Sequence, residues 1–209
     1  MVMGRREFLS CAAGALTVAL PNRRWPSHGG GASAVVLLDL AEHCSLRESI
    51  VGYALASAGL VSHRPLLIVP AAVAIPGAAM YRITNCLRAG GTVLLESGAG
   101  FAGESRFRAH RDAVQNGWQV RIERPRPKSR DIPYIDYVWP YATKIRDFSR
   151  VVPLAVQPGE IIARADGHPV ALTRRVERGT LIYLGSPLGP ALWAGDAEAR
   201  QWLSRLFSL

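Results

Sequence analysis

"LLIVPAAVAIPGAAMYRITNCLRAGGTVLLESGAGF", residues 66–101, holds two short continuous apolar runs with a segment of helical spacing between them. The runs, Pro65 to Pro70 and Thr92 to Glu96, have the unbroken apolar character of strands buried on both faces. Between them, Pro76 suits a first helical turn, Ala79, Ile83 and Leu87 recur every four residues, and Gly90–Gly91 supply a helix stop. Strand, helix and strand in that order predict a parallel sheet covered by helices.

The pattern continues outward in both directions. Towards the N-terminus, "AVVLLDL" reads as a first strand ending near Asp39. After the loop "AEHCS", Ser45 and Glu48 form a capping box for a helix from about Leu46 to Ala58, stopped by Gly59. Towards the C-terminus the pattern loosens: residues 104–117 are polar and partly helical, and "WQVRIER" reads as a strand. "RPRPKSRDIPYIDYVWPYA" is basic, aromatic and punctuated by proline. Its Arg124, Arg126, Lys128 and Arg130 make either a solvated loop or an anion-binding arm, and the prolines deny it a regular groove-reading helix. Its Tyr134, Tyr137, Trp139 and Tyr141 either pack on the core or form a stacking platform. Order returns with strands at Glu160–Ala165, Val170–Arg175 and Thr180–Leu184, the first two joined by the hairpin-favouring Asp166–Gly167. A last helix from Ala197 to Phe207 carries Ala199, Trp202, Leu203 and Leu206 on one stripe.

The N-terminus is of another kind. "GRREFLSCAAGALTVALP" joins an arginine pair to an apolar run from Phe8 to Leu20, too short and too rich in small residues to span a bilayer. It resembles the twin-arginine export signal, with Arg5, Arg6, Phe8 and Leu9 matching and Gly4 and Ser10 departing from the pattern. "ASA" at Ala32 to Ala34 offers a cleavage site, which divides the chain into a signal and linker, 1–34, and one domain, 35–209. The resemblance implies the twin-arginine translocation machinery as a partner and a periplasmic or secreted product with no transmembrane span.

The domain keeps 21 basic and 15 acidic residues, a surplus that attracts anionic surfaces at long range without specifying a nucleic acid. Its two cysteines, Cys44 and Cys86, either pair in an oxidising compartment or stay as buried thiols. No CxxC, HExxH or Cys/His cluster is present, so neither a structural metal nor a cofactor is expected.

Residues 66–101 resemble the centre of the class I glutamine amidotransferase-like superfamily, where a strand, a helix ending in Gly-Gly and a second strand lead into the site turn. "RADGHPVALTRRVERGTLIYLGSPLG" is similar to the closing hairpin of non-catalytic relatives, the β-galactosidase trimerisation and ThuA-like domains. The resemblance implies an α/β fold, a flavodoxin-like three-layer sandwich with a mostly parallel sheet and a C-terminal antiparallel hairpin. Ligands of such folds bind beyond the carboxyl ends of the strands. That edge would display Asp39, Glu42, His43, Glu96, Ser97, Gly98 and Ser186.

Catalytic members carry a cysteine in a G-x-C-x-G turn, because a thiolate formed beside an imidazole is a strong nucleophile. Here the turn reads Glu96, Ser97, Gly98, Ala99, Gly100. The serine counterpart, G-x-S-x-G, is also not met, since Leu95 and Ala99 occupy the glycine positions. A serine nucleophile would need a histidine from among His43, His110 and His168. Of these His43 is best placed, because the loops after the first and third strands converge at one edge. The expectation is therefore an exported, non-catalytic binding domain for a carbohydrate or another envelope ligand, with Glu96 accepting loop amides. The alternatives are a small hydrolase built on Ser97, His43 and Glu96 or Asp39, and a scaffold that oligomerises through its aromatic excursion.

Overall fold

A computed structural model of the 209-residue chain describes residues 33–37, 47–58, 61–62, 64–98, 100–127, 133–147 and 150–208. The signal, Asp39, Glu42, His43, Cys44, Ser45 and Ala99 lie outside these residues.

Among the described residues nine strands form one sheet: β1 (Ser33–Leu37), β2 (Val61–Ser62), β3 (Leu66–Ala72), β4 (Thr92–Ser97), β5 (Tyr134–Tyr137), β6 (Thr143–Arg146), β7 (Glu160–Ala165), β8 (His168–Val176) and β9 (Gly179–Leu184). Their spatial order is β2-β1-β3-β4-β9-β8-β7-β5-β6. The helices are α1 (Arg47–Ser57), α2 (Gly77–Arg88), α3 (Glu104–Trp118), α4 (Gly189–Trp193) and α5 (Ala197–Phe207).

The protein is mixed α/β, but the sheet corrects the expectation of a mostly parallel one. Only β1–β3, β3–β4 and β4–β9 pair in parallel, and the other five neighbour pairs are antiparallel. Connection length accounts for three of the five: β5–β6, β7–β8 and β8–β9 are joined by a few residues and must turn back on themselves, whereas helical crossovers allow parallel neighbours. Asp166 and Gly167 link β7 to β8 with φ of +49° and +79°, the left-handed pair a tight hairpin demands. The basic aromatic excursion adds a further hairpin, β5–β6, beside β7. "WQVRIER" contributes only an isolated bridge, Ile122 to Leu154, and Arg126 just beyond it makes a second, to Val151.

Helices cover both faces, and strand periodicity sorts the core into two halves. Leu66 and Ile68 of β3, Leu94 of β4 and Ile182 of β9 join Tyr53 of α1, Leu192 of α4 and Trp202 and Leu203 of α5. Their strand neighbours Leu67, Val69, Val93, Leu95 and Leu181 join Ile83 and Leu87 of α2 and Phe107, Val114 and Trp118 of α3. Each fully buried large apolar side chain contributes about 1.5–3 kcal/mol of transfer free energy, so alternation along three central strands stabilises both helical layers at once.

The excursion's aromatics divide. Tyr137 is buried beside Trp202, with ring centroids 5.2 Å apart, and the Trp202 indole donates to the Trp139 carbonyl at 2.8 Å. Trp139 and Tyr141 pack against the same core, while Tyr134 is 41% exposed. β6 forms one margin of the sheet, with Ile145 turned inward and Lys144 and Arg146 exposed. Cys86 is a buried free thiol, pushed up to about 12 by burial and hence unreactive. Among the described residues, no helix is long and apolar enough to cross a membrane.

Candidate functional site

The carboxyl end of β4 is where the sequence concentrates polar chemistry, and strand geometry decides what that chemistry can do. Successive side chains of a strand leave on opposite faces. Ser97 still belongs to β4, in register with Ala72 of β3. Glu96 therefore points to the layer of α1 and α4, and Ser97 to the layer of α3.

On the first face, Glu96 is fully buried. Its Oε1 accepts from the Tyr53 hydroxyl and, at 2.6 Å, from the Leu188 amide, and its Oε2 accepts from the Ala71 amide at 3.1 Å. The Gly189 amide adds a further donor. Burial raises the carboxyl to about 7, against the opposing pull of those four donors. The Tyr53 phenol is itself driven well up, by burial first and by the Glu96 charge second. One acid thus ties α1, β3 and the start of α4 to β4. Backbone strain sits in this clasp rather than at the serine: Ala71 has φ of +38°, a left-handed conformation an alanine adopts at a cost of about 1–2 kcal/mol. Ser97 is not among the positive-φ residues.

On the other face, the Ser97 hydroxyl lies 3.0 Å from His110 Nε2 and 3.3 Å from the Gly98 carbonyl. Ser97 is fully buried and His110 is 1% exposed. Burial lowers the imidazole to about 4, so it is neutral near pH 7 and resists taking up a proton. Among the described residues its Nδ1 has no hydrogen-bond partner, and no carboxylate there orients the imidazole as in a catalytic triad. Phe101 packs over the ring at 5.2 Å.

The histidine that meets Ser97 is thus His110, which the sequence reading ranked below His43. The legible signal was the spacing of Phe107, His110, Val114 and Trp118, which α3 buries on one stripe. Gly98 closes the strand by donating to the Ala72 carbonyl at 2.8 Å. Ser186, after β9, meets Asp147 rather than Ser97, with its hydroxyl 3.0 Å from Oδ1 and both residues buried. Tyr53 and Asp147 were absent from the sequence-based site.

Beyond Phe101 lies a surface cleft of about 200 Å³, lined chiefly by Phe101, Phe107, Glu104, Arg124 and Arg150. The two phenyl rings meet edge to face at 5.3 Å, and Arg124 pairs with Glu104 at 3.1 Å. Among the described residues no group of three His, Cys, Asp or Glu side chains is placed to hold a metal.

No protein-family model matches the chain, and no curated protein matches it in sequence. Solved structures do match in shape. A β-galactosidase from Rahnella sp. R3 superimposes with a TM-score of 0.57 at 11% identity, over 80% of this chain and 31% of that one. A β-galactosidase from Bacillus circulans sp. alkalophilus gives 0.56 at 13%, over 83% and 31%. Exo-β-1,4-mannosidase Op5Man5 from Opitutaceae bacterium strain TAV5 gives 0.50 at 14%, over 69% and 26%. The chain spans less than a third of the length of these enzymes, and what it shares with them is a mixed α/β fold.

Proposed function

We propose that this chain is an exported domain of amidotransferase-like descent that acts by binding a carbohydrate or another envelope component and performs no chemistry of its own. The observation that carries the reading is the division at the end of β4. Glu96 and Ser97 leave on opposite faces, both fully buried, and each is engaged by protein groups. A nucleophile and its helpers must share one accessible space, with amide donors aimed at the reacting oxygen. Here the amides converge on the acid instead.

A four-stranded parallel half with helices on both faces supports the flavodoxin-like part of the reading, and the β7–β9 antiparallel run supports kinship with the trimerisation-like domains. The three solved structures named above are sugar-processing enzymes by name, which favours a saccharide as the ligand class.

The test pairs a glycan array with a serine-directed fluorophosphonate probe, both on the mature protein. Retention of a glycan without labelling is the expected result. The 3.0 Å Ser97–His110 contact favours one second reading, a hydrolase with His110 as base, opened by movement of Phe101. Labelling that Ser97→Ala and His110→Ala both abolish would replace the binding role with that one. The export part is independent: changing Arg5 and Arg6 together to lysine should leave the precursor in the cytoplasm of a bacterial host with a working twin-arginine pathway. Processing unchanged by the double substitution refutes it.

A further inference from the structure

We infer that the cleft over Phe101 is a binding site for a pyranose ring bearing a carboxylate, the uronic acid class. The inference rests on the binding role proposed above and gives it a place and a chemistry. Three features of the cleft point the same way. Its volume of about 200 Å³ suits one sugar ring rather than an extended polymer segment. Its apolar wall is a pair of phenyl rings, half-buried Phe101 and buried Phe107, held edge to face at 5.3 Å by the turn before α3 and by its first turns. Phe101, backed by Phe107, is the ring with surface left to stack on the C–H face of a sugar, which is apolar although the ring's rim is not.

The polar wall sets the preference for charge. Among the described residues that line it, two are guanidiniums, Arg124 and Arg150, and one is a carboxylate, Glu104. A guanidinium grips a carboxylate with two parallel N–H donors, a geometry that lysine or an amide cannot reproduce. Arg150 is steadied by donating to the Pro125 carbonyl at 3.0 Å. Arg124 is held by Glu104, but both partners are largely exposed, with side chains at 76% and 46%. Such a surface pair contributes little and exchanges readily for an incoming carboxylate. Glu104, once released, is an acceptor for the ring hydroxyls. The mature chain's basic surplus raises the local concentration of acidic saccharides and makes the encounter salt-dependent.

Phe101 also provides a reporter. It forms the cleft wall on one side and packs on His110 on the other, so an occupied cleft perturbs the His110 imidazole without touching it.

The experiment is calorimetric titration of the mature protein with trigalacturonate, with the neutral trisaccharide galactotriose and with inorganic phosphate, together with NMR of the histidine side chains. Trigalacturonate is expected to bind and to shift the His110 resonances, with galactotriose and phosphate each about tenfold weaker or worse. Arg124→Ala and Phe101→Ala should each weaken trigalacturonate by about tenfold or more while the far-ultraviolet circular dichroism stays that of the parent. Arg124 is exposed, so its variant tests the site without risk to the fold. Trigalacturonate binding that neither variant weakens puts the ligand elsewhere and overturns this site while leaving the binding role intact. Equal affinity for galactotriose overturns the acid preference, and equal affinity for phosphate reduces the cleft to a general anion patch. No binding here and no glycan retained on the array removes both this inference and the function it rests on.

Discussion

Replacing Glu96 by alanine is expected to lower unfolding free energy by roughly 3–5 kcal/mol, because the change strands several buried donors at once. The Tyr53 hydroxyl and the amides of Ala71, Leu188 and Gly189 would all face a cavity with nothing to accept them. The left-handed backbone at Ala71 would lose the bond that offsets its strain. Denaturant titration measures the loss, and a variant within about 1 kcal/mol of the parent would show that the clasp stabilises nothing.

The same residue gives the fold a pH dependence whose sign runs against habit. The Glu96 carboxyl rises on folding from an ordinary 4.5 to about 7, so between those values the folded state holds a proton that the unfolded chain has released. Its contribution is full below about pH 4.5 and is lost as pH climbs through 7, a decline on the order of 3 kcal/mol. His110 acts oppositely. Its imidazole falls from 6.5 to about 4, so stability from this group grows as pH rises across that interval, by a comparable amount. The groups facing Glu96 are Tyr53 and Tyr137, both driven up by burial and neutral throughout, and Asp147 acts on Tyr137. The parent should therefore show a shallow profile at mildly acid pH. Glu96→Gln should unmask the His110 rise, and the parent's stability relative to that variant should fall from pH 4.5 to 8. Parallel curves would mean that Glu96 does not titrate in that window.

The second large effect concerns Gly52, at the crossing of α1 and α4. A Cβ there would stand 2.2 Å from the Gly189 carbonyl oxygen and 2.9 Å from the Trp193 amide nitrogen. Both obstacles are backbone, so neither can swing aside. Alanine in a helix interior ordinarily gains up to about 1 kcal/mol over glycine, but here the helices must part, and overpacking of this kind costs about 3 kcal/mol or more. Parting them also draws Tyr53, next to Gly52, and Leu188, next to Gly189, away from Glu96. Gly52→Ala should lower Tm by roughly 5–10 °C in a scanning calorimeter. An unchanged or raised Tm would mean that α1 and α4 do not depend on this close approach.

How much of this was legible follows from which signals are local. β3, α2 and β4 could be read from residues 66–101 because apolar runs, helical spacing and a glycine stop all agree there. α5 came out at its expected bounds, Ala197 to Phe207, and Asp166–Gly167 marked its hairpin. β5 and β6 were hidden, since four-residue strands flanked by prolines and rich in charge carry no long pattern, and their pairing is decided by contact with β7. The acceptor role of Glu96 for amides could be foreseen at the turn, but Leu188 is 92 residues away and its arrival is a property of the whole fold. Preferring His43 over His110 followed from treating α3 as loose. His110 comes from a helix that the charged residues around it disguise. The period of two along β4 already separated Glu96 from Ser97, and that simple rule outweighs the attraction of two reactive side chains standing side by side.

The margin formed by β6 bears on how the molecule behaves in a crowd. An unfinished sheet invites a foreign strand to continue its ladder, and flat apolar borders are where such recruitment begins. Lys144, which pairs with Asp136 of β5 at 3.6 Å, and Arg146 are both exposed on this border, so two copies approaching border to border would set like charges side by side. Dilute buffer strengthens that mutual refusal and concentrated salt relaxes it.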